Sequence, residues 1–150
     1  MRCPDRPTNL PLVPHDDDVN IAVLFARLVL AAVLAAAAVG KLGDLDGTRT
    51  AVIALGVPPR FSGLATAALP LAELTAAVAL VIPIRPVTLA GAALALALLV
   101  AFTVAIARTL AAGRRPACRC FGSRSDAPIG ADAVIRNAAL GALAIVVLLG

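Results

Sequence analysis

Cys118 and Cys120 stand one arginine apart in Gly113-Arg-Arg-Pro-Ala-Cys-Arg-Cys-Phe-Gly122, the most basic stretch of the chain. A thiol reacts as its thiolate, and nearby cations favour that form. Arg119 lies between the two cysteines, and Arg114, Arg115 and Arg124 are close in sequence. Cysteines at i and i+2 close only a small ring, so their disulfide is strained and more easily reduced than a structural one. The spacing therefore suits a redox-active dithiol. It equally suits a tight turn, set by Pro116 and Gly122, in which the thiols are incidental. No metal site is expected, because three cysteines fall short of the four ligands of structural zinc. An odd set of three is not the disulfide framework of a secreted domain either.

The other candidates are charged or polar residues next to apolar runs. Glu73, in Leu69-Pro-Leu-Ala-Glu-Leu74, stands near the middle of one such run. A carboxylate there is costly unless it is neutral or paired, which makes it a functional candidate. Arg27 lies in another run, and counting from matching ends puts both residues roughly 12–14 Å below the same surface. An Arg27–Glu73 ion pair is the expectation. Such a pair either glues two helices or serves proton or quinone chemistry. Lys41 and Asp44, in Gly40-Lys-Leu-Gly-Asp44, are expected on one face with Arg136 and Asn137. There they either converge under the cysteine loop or act as ordinary interfacial anchors.

These residues need a scaffold, and composition says which. The chain has 150 residues, of which 61% are hydrophobic, and its mean hydropathy is +0.97. Soluble domains rarely exceed about half apolar residues, so lipid is the expected solvent. A formal charge of +4 raises the question of nucleic acid. The charges sit between apolar runs and form no polar face, which argues against that partner. Four runs are long enough to cross a bilayer, which needs about 20 residues at about 1.5 Å each. They are residues 19–40, 62–82, 86–107 and 131–149, with Gly40, Pro83, Gly113 and Pro128 among the breakers between them. Helices satisfy their own backbone in hydrocarbon. The expected fold is thus an all-α integral membrane protein, a four-transmembrane-helix bundle over residues 19–150 behind a polar tail at 1–18. No cleavable signal is expected, since Asp16-Asp17-Asp18 precedes the first run where such a signal carries positive charge.

Four crossings put both termini and the turn at Pro83–Arg85 on one side. Loops 41–61 and 108–130 share the other. Outside the spans, Arg2, Arg6 and Arg85 face Lys41, Arg49, Arg60, Arg108, Arg114, Arg115, Arg119 and Arg124. The excess places loops 41–61 and 108–130 in the cytoplasm. Cys3 and His15 then lie across the membrane from Cys118 and Cys120.

The order Lys41-Leu-Gly-Asp44, Leu55-Gly-Val-Pro58, Leu69-Pro-Leu-Ala-Glu73, Cys118-Arg-Cys-Phe-Gly122, Ile129-Gly130 and Arg136-Asn137 resembles the methylamine utilisation protein MauE family. That family is related to the DoxX-like four-helix membrane proteins, and the resemblance covers about residues 20–149. It implies a bacterial plasma-membrane protein that helps mature methylamine dehydrogenase, by assisting disulfide formation in its small subunit. A thioredoxin-like partner and a client enzyme are implied with it. Carried over by position, the implied site residues are Lys41, Asp44, Glu73, Cys118, Cys120, Arg136 and Asn137. Two other functions stay open: a non-enzymatic membrane scaffold with a structural Cys-x-Cys turn, and a quinone-linked DoxX-like subunit with Glu73 as its proton site.

Overall fold

The computed structural model describes residues 16–113 and 131–150, with side chains over 20–113 and 132–150. These form five helices: α1 (Asp16–Gly43), α2 (Leu45–Ala54), α3 (Pro59–Val81), α4 (Arg85–Ala111) and α5 (Ala131–Leu149). Four of them, all but α2, are long and apolar enough to span a membrane. No strand occurs among the described residues. The all-α, four-span architecture expected from the sequence is the one observed.

Local chemistry explains the helix ends. Asp16, Asp17 and Asp18 begin α1. The helix thus takes up the last three residues of the expected polar tail. Pro59 and Pro86 occupy the first turns of α3 and α4, positions whose N–H groups need no partner. α3 continues through Pro70, which is buried in its interior.

The segment read from the sequence as loop 41–61 contains α2, and this is a correction. Asp44 caps it, its carboxylate accepting the Gly47 N–H at 2.8 Å. The Thr48 hydroxyl donates to the Asp44 carbonyl at 2.8 Å, and Gly56 leaves the helix in the left-handed region at φ 103°, where glycine is strain-free. Its ten residues are too few and too mixed, with Asp46, Thr48, Arg49 and Thr50 among them, to carry a span signal, so a search for long apolar runs passes over them.

The four long helices close a ring in which α1 packs on α3, α3 on α4, α4 on α5 and α5 on α1. The chain alternates direction between neighbours. The core is built from small residues, including Ala26, Ala76, Ala92, Ala95 and Ala144, among which Leu30, Leu80, Leu99 and Leu140 interlock. Small residues let backbones approach where no hydrophobic force drives helices together. The large apolar side chains that would fill a soluble core, such as Leu64, Leu71, Ile135 and Leu149, point outward. That inversion fits lipid as the surrounding medium.

α3 and α4 approach closely at Gly91. A Cβ built there would lie 2.8 Å from Ala79 Cβ and 3.1 Å from the Leu80 nitrogen. Gly91→Ala should therefore push the two helices apart, at a cost of about 1–3 kcal/mol typical of overpacking. Unfolding in mixed micelles reads this. A stability equal to the unsubstituted protein would mean that the contact has slack.

Candidate functional site

The chain has one lysine and one glutamate, and they bind each other. Lys41 Nζ donates to Glu73 Oε1 at 2.6 Å and to Oε2 at 2.9 Å, with both side chains almost fully buried. The ammonium also sits 5.3 Å from the centre of the Phe102 ring on α4, within range of a cation–π attraction.

The register of the pair follows from helix geometry. Arg27 lies level with Leu80 and Ile82, whose carbonyls it contacts. Lys41 is fourteen residues beyond Arg27 on α1, about 21 Å, whereas Glu73 is only seven residues from Leu80 on α3, about 10 Å. Roughly 10 Å of axial distance separates the two α-carbons, and the side chains span it. Each Cα–Cβ bond tilts toward its own helix N-terminus. In an antiparallel pair, Lys41 therefore leans into the bundle and Glu73 leans up to meet it.

This overturns the expected Arg27–Glu73 pair. Arg27 instead donates Nε–H to the Leu80 carbonyl at 2.9 Å and Nη2–H to the Ile82 carbonyl at 3.1 Å. The last carbonyls of a helix lack partners within it and attract a cation. Arg27 supplies both needs, and Thr88 Oγ1 donates to Ile82 as well, at 2.8 Å. Lys41 is also no interfacial anchor. It is 4% exposed, because its long stem turns inward instead of toward the headgroups.

Beside the ion pair lies a cavity of about 30 Å³. Lys41, Glu73, Phe102, Arg136 and Asn137 line it with apolar residues such as Leu99 and Leu140. The cavity lining brings Lys41, Arg136 and Asn137 together, with Glu73 from α3; the cysteine loop under which they were expected to converge lies outside the described residues. Asn137 is 7% exposed, whereas Arg136, one residue earlier, is exposed. Asp44 serves as the α2 cap and does not line the cavity. Phe102 was missed from the sequence. Its signal is a lone aromatic in an Ala/Leu span, which periodicity reads as core.

Cys118 and Cys120 lie outside the described residues. The segment that carries them joins the C-terminal end of α4 to the N-terminal end of α5, the bundle end where α1 finishes and α3 begins. Among the described residues no group of three His, Cys, Asp or Glu side chains stands close enough to hold a metal ion. The donors Lys41 and Asn137 suit a quinone carbonyl. The volume does not suit the ring, since about 10–15 Å³ is needed for each water and the cavity therefore admits about two. The described site does not fit a quinone.

Neither the curated proteins nor the solved structures contain a match to the chain. A family match does exist, to the family described as methylamine utilisation protein MauE, and it runs over residues 19–150. It takes in all four spans, the buried Lys41–Glu73 pair and the Cys-x-Cys segment. The four-helix membrane bundle described here is a member of the MauE family.

Proposed function

We propose that the protein assists the maturation of a partner enzyme in methylamine utilisation, exchanging thiols and disulfides through Cys118 and Cys120. The observation that carries this reading is the family match across residues 19–150, which spans both cysteines. The arginines around the pair support it, since they favour the thiolate that attacks a disulfide. The small subunit of methylamine dehydrogenase is the proposed client. Two client thiols become a disulfide while the Cys118–Cys120 disulfide takes up two electrons and two protons as a dithiol. A thioredoxin-like partner in its disulfide form then reoxidises the pair and is itself reduced. The proposed setting is the bacterial plasma membrane, with loops 41–61 and 108–130 on the cytoplasmic side. Lys41 leaves that charge count because it is buried, and the remaining arginines keep the excess.

Maleimide trapping at a series of redox potentials tests the proposal. The pair should titrate between dithiol and disulfide with a midpoint above the roughly −300 mV of structural disulfides. Cys118→Ser and Cys120→Ser should each abolish client maturation without lowering the amount of protein in the membrane. Full activity in both variants would sink the thiol reading and leave the scaffold.

A further inference from the structure

A groove of about 620 Å³ runs down the outside of the bundle between α1 and α3, and every side chain lining it is apolar. Leu28 and Ala35 mark its limits on α1, and Ile82 and Leu74 mark them on α3. These limits are seven and eight helical residues apart, so the groove is about 10–12 Å long. Its shallow end is level with the end of α3, and it descends from there toward the middle of the spans. Arg27 stands at that shallow end, half-buried. Its Nη2 reaches the Val81 and Ile82 carbonyls, the first on an exposed edge, and both residues line the groove. Nε is taken by Leu80, whereas Nη1 donates to no described residue. Carbonyls carry no net charge, and no described carboxylate pairs with Arg27. Its positive charge is therefore left uncompensated above an apolar groove.

We propose that the groove holds one acyl chain of an acidic phospholipid whose phosphate is bound by Arg27. A cation at the shallow end and hydrocarbon below match the polarity of a lipid, with its charged head at the surface and its chains beneath. Hydrocarbon chains fill a lipid-facing groove without hydrophobic gain, so selection comes from the head. A guanidinium forms strong charge-assisted bonds with phosphate, and Nη1 supplies donors that the carbonyls do not use. A second copy of the chain lacks the matching charge. In the orientation that one membrane imposes, its Asp44, Asp46 and Asp132 lie at the opposite end of the bundle. Its Glu73 is held by Lys41. Asp16, Asp17 and Asp18 stand nine or more residues before Arg27 on α1, about 14 Å farther out. None of these positions is level with Arg27.

The full chain, reconstituted in bilayers of equimolar phosphatidylglycerol and phosphatidylcholine and extracted in mild detergent, provides the test. Native mass spectrometry counts the lipids it retains. Ala32→Leu, at an exposed position on the groove wall, obstructs the chain and should retain one phosphatidylglycerol fewer than the unsubstituted protein. Arg27→Gln removes the charge and leaves the groove open. It should lose the preference for the acidic lipid at this site, about fivefold for one basic residue near the membrane surface, and keep a neutral lipid instead. Arg27→Lys should retain most of the preference. Where Arg27→Gln does not assemble, Ala32→Leu decides alone. Inorganic phosphate should not displace the lipid, and displacement would overturn the proposal in favour of a free-anion site. Equal lipid counts in the unsubstituted protein and Ala32→Leu would overturn it too. So would a dimer that Ala32→Leu dissociates, since the groove would then belong to a second copy.

Discussion

Glu73→Gln alone should destabilise the bundle by about 3–5 kcal/mol, the usual cost of stranding one member of a buried ion pair. Lys41→Met alone should cost a similar amount. The two together should recover most of the loss, because neither charge is then left in the bundle interior. Unfolding in mixed micelles, read as a double-mutant cycle, gives the coupling. Simple addition of the two single losses would mean that the pair contributes nothing to the fold. The same cycle on Arg27 and Glu73 should show additivity, since these residues share no partner and stand well apart along the bundle. Coupling there as strong as for Lys41 would restore the depth-matched pair that the sequence suggests.

Arg27→Ala should be the next most damaging change. It removes the hydrogen bonds from a charged donor to the Leu80 and Ile82 carbonyls, each worth about 1.5–3 kcal/mol at most, and a longer one to the Val81 carbonyl at 3.5 Å. A net loss of about 2–4 kcal/mol is expected, because the Thr88 bond to Ile82 is retained and neighbouring polar groups partly re-satisfy the freed carbonyls. The effect should be local as well as global. Hydrogen exchange should rise at the α3–α4 turn, around residues 82–88, before it rises in the core. Arg27→Lys should rescue part of the loss, because an ammonium still suits the negative end of α3 but cannot reach two carbonyls in one plane. Equal exchange at the turn in Arg27→Ala and the unsubstituted protein would show that the contact is incidental.

Residues legible in the sequence were those whose message is carried by length or by cost. Runs of about 20 apolar residues announce the four spans, and breakers such as Gly40, Pro83 and Gly113 set their limits to within a few residues. Glu73 stood out because a carboxylate in hydrocarbon demands an explanation. Its partner did not stand out. Depth counted from run ends ignores the register between α1 and α3, and ignores the tilt of side chains along their helices. Those two effects move the contact from Arg27 to Lys41. Lys41 looked like an anchor because a lysine at a span end usually snorkels outward, and only its position on the inward face of α1 reverses this. The capped helix α2 was hidden for a different reason. Its stability rests on Asp44 and on packing against α3, and neither writes a long apolar run.

The placing of the two buried charges also bears on how the chain enters the membrane. Lys41 is synthesised first and sits two residues from the end of α1, so while α1 is alone its ammonium rests among the headgroups at little cost. Glu73 has no such refuge. It lies deep within its span, where an unaccompanied charged residue raises the insertion free energy by about 2.5–3.5 kcal/mol. By the time α3 leaves the ribosome, however, a cation is already waiting at the membrane surface on the neighbouring helix. In the finished bundle that ammonium is turned inward onto the Glu73 carboxylate. The order of the residues along the chain thus doubles as an assembly schedule, with the mobile charge delivered before the one that cannot wait.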